Sequence, residues 1–72
     1  MYPMQFTVTA ADSADDVRLA KLANLATLSE EAQGRMIERL GSLCGTDKPT
    51  AGQLALAWRE AVGYARWGKI AS

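Results

Sequence analysis

Three hydroxyl side chains, Ser13, Ser29 and Thr50, each stand just ahead of an alanine- and leucine-rich run. That spacing cuts the chain into three helices before anything else is considered. Ser13 has Asp16 three residues on, with Asp12 and Asp15 as an alternative register of the same capping pattern. Ser29 is followed by Glu30 and Glu31, carboxylates suited to the positive end of a helix dipole, and Thr50 follows Pro49 and precedes Gln53 by three. The spacing predicts helices over 13–27, 29–44 and 51–69, with Gly45 placed to end the second in a left-handed conformation.

At about 100° per residue, the first helix should turn Leu19, Leu22, Ala23 and Ala26 inward, with Leu25 at the edge and Arg18, Lys21 and Asn24 outward. The second gathers Ala32, Met36, Ile37, Leu40, Leu43 and Cys44 on one side. Gly34 and Gly41 lie along one edge of it, each costing about 1 kcal/mol relative to alanine, a loss that close approach of another backbone would compensate. In the third, Leu54, Ala57, Trp58, Ala61, Val62 and Ala65 form a core-facing stripe. Trp67 falls about half a turn away, beside Leu56, Gly63 and Ile70, which implies a second apolar flank needing cover from the chain's own N-terminal strand, a second copy or a foreign partner.

Ahead of the helices, Met4, Phe6, Val8 and Ala10 alternate with Gln5, Thr7 and Thr9, the period-two pattern of a short half-buried strand. A lone strand does not persist, so residues 1–11 form an extended arm over the helices or pair with another copy. The expected fold is mainly α: one compact three-helix domain spanning 1–72, with a short N-terminal extended arm or strand.

The chain has no histidine and one cysteine, Cys44, on the apolar stripe of the second helix. A histidine-based triad, a zinc site and an intrachain disulfide are therefore not available. Asp12, Asp15 and Asp16 lack the ligand alternation of a calcium loop, and "GSLCGTDKP" lacks the ending of a phosphate loop. Glu30 with Glu31, or Glu38 with Glu60, are carboxylate pairs at exposed positions, a weak basis for acid–base chemistry. We expect a non-enzyme with no metal and no cofactor. The start of the chain lacks a basic and apolar leader pattern, and Arg59, Glu60 and Arg66 interrupt the best candidate for a membrane span. A cytoplasmic protein without membrane contact is expected.

At 72 residues a single core only marginally offsets chain entropy, so self-association is expected. Charge is split along the chain. Asp12, Asp15, Asp16, Glu30 and Glu31 outweigh Arg18 and Lys21 in the first 34 residues, while Arg35, Arg39, Lys48, Arg59, Arg66 and Lys69 outweigh Glu38, Asp47 and Glu60 in the rest. The functional expectation is a protein-binding regulator or inhibitor, a homodimer, of the small accessory type that phages and mobile elements encode. Its contact surface would be Trp67, Ile70 and Leu56 rimmed by Arg59 and Arg66, with Tyr64, Met1 and Tyr2 as lesser contributors, since tryptophan and arginine often dominate binding energy. Nucleic-acid binding is the alternative: Arg35, Arg39, Arg59, Arg66 and Lys69 supply cations, and the segment 18–40 has the layout of a helix-turn-helix. Glu30 and Glu31 would then meet phosphate where a recognition helix inserts, and the zero net charge points the same way.

Overall fold

The computed structural model describes residues 5–25, 28–45 and 48–71. They form a mainly α domain of four helices: α1 (Ala14–Leu25), α2 (Glu30–Leu43), α3 (Ala51–Val62) and α4 (Tyr64–Ala71). Each of the three expected caps is in place. Ser13 Oγ accepts from the Asp16 N–H at 3.1 Å and Ser29 Oγ from the Ala32 N–H at 3.2 Å. Thr50 and Gln53 close a full capping box at 3.2 and 2.9 Å. Gly45, at φ 59°, follows α2 in the left-handed region where a Cβ is unfavourable.

The expected third helix is two helices. Gly63 adopts φ 85° and ψ 143°, outside any helical basin, and there the chain turns. Its N–H donates to the Arg59 carbonyl at 2.9 Å, closing α3, while its own carbonyl accepts from the Trp67 N–H at 2.9 Å, opening α4. One glycine thus satisfies backbone groups of both helices, and α4 folds back against α1 and α3.

Helix α3 is the centre of the domain. It packs against α1, α2 and α4, whereas α1 and α2 do not pack on each other. Ala51, Leu54, Ala55, Ala57, Trp58 and Ala61 are all buried, a much wider arc than one partner helix would cover. Small side chains make this possible, because alanines let three helices approach the same rod closely.

The outer helices follow their expected faces only in part. In α1 the fully buried residues are Ala20 and Ala23, while Leu22 is 39% and Leu25 78% exposed. The buried face is rotated away from the leucines: Val17, Leu19, Ala20 and Ala23 meet the core, and the position expected at Ala26 lies outside the described residues. In α2, Ala32, Met36 and Leu40 are buried and Leu43 and Cys44 half-buried as the stripe requires, but Ile37 is 61% exposed. Ala65, placed inward by an unbroken third helix, is exposed because α4 has its own rotation after Gly63.

Residues 5–9 run as an extended arm that turns at 10–12 and whose one bridge among the described residues is parallel, Thr7 to Thr50; Met1, Tyr2 and Met4 lie outside the described residues. Phe6 packs on the core, while Val8 and Ala10 stay exposed, so the alternation marks an arm and not a two-sided strand. The arm completes the start of α3. Thr50 N–H donates to Gln53 Oε1 at 2.9 Å, Ala51 N–H to Thr7 O at 2.9 Å, Gly52 N–H to Asp12 Oδ1 at 3.1 Å and Gln53 N–H to Thr50 Oγ1 at 3.2 Å. All four donors that a helix start leaves open are satisfied. Asp12, an alternative cap of α1 by sequence, instead reaches α3.

Asp12 Oδ2 also accepts from the Thr9 N–H at 2.8 Å and the Thr9 hydroxyl at 3.3 Å. The Thr9 amide, followed by that of Gly52, holds the Asp12 carboxyl below its usual range. A depressed carboxyl adds stability that is complete above its unfolded value, near 3.9, and is lost as pH falls through the folded value. Asp12→Asn should therefore lower the melting temperature at neutral pH and shrink its drop on acidification below about pH 4, measured by circular dichroism. A variant with the same acid limb as the parent would mean the carboxylate contributes nothing to the arm.

Candidate protein-binding surface

The sequence singles out five residues around Trp67, and the fold disperses them. Trp67 is 5% exposed and belongs to the same apolar cluster as Trp58, Leu54, Ala20 and Ala23. Its expected role as a free apolar anchor is therefore corrected. The turn at Gly63 changes the rotation of α4, and the indole lands inside instead of on a second flank. Ile70 is half-buried against that cluster and Leu56 is half-buried on α3. The extra apolar flank is one that the chain covers for itself.

The two arginines separate as well. Arg59 Nη2 pairs with Asp16 Oδ1 at 2.8 Å, with both side chains largely shielded, and its Nε donates to Ala55 O at 3.3 Å. This ties α3 to α1, so Arg59 acts as an internal strut and not as a rim residue. Arg66 is exposed. Tyr64, two residues before it, is 64% exposed and Lys69 is exposed, and helical spacing sets Tyr64 on one flank of α4 and Arg66 with Lys69 on the other. Tyr64 was only a minor sequence candidate, because an unbroken helix gave no reason to prefer it to Trp67.

A second feature lies between α2 and the end of α3. Arg35, Glu38, Arg39, Ser42, Glu60 and Ala61 line an open cleft of about 310 Å³. It brings together Glu38 and Glu60, one of the carboxylate pairs noted in the sequence. Its arginines are already engaged: Arg35 bonds Glu31 at 3.0 Å and the Ala61 carbonyl at 2.8 Å, and Arg39 Nε lies 2.6 Å from Glu60 Oε2. The Arg39 N–H is not angled to make a hydrogen bond there, so the contact is an ion pair. Such solvent-exposed pairs contribute at most about 1 kcal/mol.

The pair of helices expected to read DNA over 18–40 is not a packed unit, since α1 and α2 each lean on α3 and not on each other. Among the described residues no group of three or more histidine, cysteine or acidic side chains is arranged to hold a metal ion, and no helix is long and apolar enough to cross a membrane. No protein family, curated protein or solved structure matches the chain. The class defined by fold and surface is a small mainly α domain with, among the described residues, an exposed aromatic on its last helix.

Proposed function

We propose that this protein is a small non-catalytic regulator or inhibitor that binds another protein through the outer face of α4. The carrying observation is Tyr64, a large aromatic left 64% exposed at the start of a helix whose other side is anchored by Trp67 and Ile70. Anchoring matters, because a contact residue on a fixed helix loses little entropy when a partner docks. Tyrosine and arginine are also among the side chains that most often dominate interface energy, and Arg66 is exposed on the same short helix. A lone thiol and the absence of histidine fit a binding role in a reducing cytoplasm.

The test is capture of a host protein by the full chain, with Tyr64→Ala and Arg66→Ala alongside. Both variants should weaken capture about tenfold or more while changing stability by no more than about 0.5 kcal/mol. Capture unaffected by either change would overturn the reading. The same ring and cations could stack a base and neutralise phosphate, which keeps nucleic-acid binding as the second reading. Binding to DNA at low salt that Tyr64→Ala abolishes and rising salt steeply weakens would replace the protein partner with that one.

A further inference from the structure

We infer that a second copy of this chain covers two faces its own fold leaves open, with the outer face of α1 in one copy docking on the outer face of α2 in the other. The first face is the inverted one. Helix α1 turns Ala20 and Ala23 into the core and holds Leu22 and Leu25 in solvent, flanked by exposed Arg18 and Lys21 and by one exposed carboxylate, Asp15. Helical spacing puts Arg18, Leu22 and Leu25 together on the side opposite the buried alanines.

The second face belongs to α2. Glu30, Gly34, Ile37 and Gly41 recur at intervals of four, three and four, all exposed, with Glu38 on the flank. A Cβ added at Gly34 or Gly41 would meet nothing within 4 Å, so neither glycine is required by a contact inside the chain. Two mid-helix glycines on either side of an exposed isoleucine make a shallow seat that another helix can approach closely.

Charge selects which faces meet. Two antiparallel α1 faces crossing at Leu22 would bring Lys21 beside its own copy. Two antiparallel α2 faces crossing at Ile37 would bring Glu38 beside its own copy. Docking α1 on α2 instead sets Lys21 against Glu30 and Glu38, and like charges at a contact are strongly disfavoured. This pairing also buries Leu22, Leu25 and Ile37 in a domain whose own interior is mostly alanine. It does not depend on the α4 reading and uses none of its residues.

Sedimentation of the full chain tests it, with Leu25→Gln, Ile37→Gln and Gly34→Leu. The parent should associate below about 1 mM, and each glutamine variant should weaken association about tenfold or more without altering its helical circular dichroism. Mixing the two glutamine variants should recover association, since one retains an intact α1 face and the other an intact α2 face. Gly34→Leu should raise the melting temperature of dilute protein and weaken association, two effects of opposite sign. A chain that stays monomeric to about 1 mM overturns the inference, as does association that survives both glutamine changes or fails to recover on mixing.

Discussion

Trp67→Ala is expected to destabilise the domain by about 3–5 kcal/mol, as much as Trp58→Ala, measured by denaturant unfolding. Both indoles sit in one apolar cluster, 5% and 0% exposed, so truncation of either leaves a large hole among small side chains. A chain of this size has little stability to spare, and either change should leave a substantial unfolded fraction near physiological temperature. Neither indole N–H has a protein acceptor, so the ring is held by packing alone. Trp67→Phe, which keeps most of the packing and removes an unsatisfied donor, should accordingly be much milder than Trp67→Ala. If Trp67→Ala left stability unchanged, the indole would be a surface group after all and the packing of α4 described above would be wrong.

Gly63→Ala should cost about 1–3 kcal/mol although nothing stands in the way of the new methyl group. A Cβ there meets no atom within 4 Å, so the penalty is conformational: φ 85° with ψ 143° is a backbone state that L side chains rarely adopt. Relief is available by running α3 into α4 as one straight helix, which alanine favours. That would swing Trp67 out of the core. The expected signature is a lower denaturant midpoint with no loss of helical circular dichroism, whereas a simple packing defect would lower both. An unchanged midpoint would mean that Gly63 is not what bends the chain.

The Gly63 turn also marks where sequence reading stops. Ser13, Ser29 and Thr50 each cap a helix through a bond spanning three residues, and such contacts are visible in a string of letters because both partners lie within it. Glycine in a helical pattern is ambiguous by comparison. Gly34 and Gly41 stay helical inside α2 while Gly63 ends α3, and the difference lies in how much buried surface the turn at Gly63 gains by returning Trp67 to the core. Leu25 and Ala20 make the same point in α1: periodicity shows that one side must be inside, but the crowding of three helices around α3 favours the alanine side.

Asp12 shows the limit from another direction. Its spacing fits a local cap, yet its carboxylate bonds Gly52, 40 residues away, because the arm returns past the start of α3. Arg59 is likewise claimed by Asp16 across 43 residues, which removes it from the surface the sequence had drawn. The exposed Tyr64 ranks above Trp67 as a contact residue only once the orientation of α4 is known.

The amino-acid order by itself determined the mainly helical class, the helix starts and the lack of histidine-based chemistry, since those depend on neighbours along the chain and on which side chains exist at all. Tertiary structure decided which flank of each helix is wet, where the last helix points and which charges are already paired. Those outcomes depend on distances between residues far apart in sequence, and a helical repeat carries no information about them.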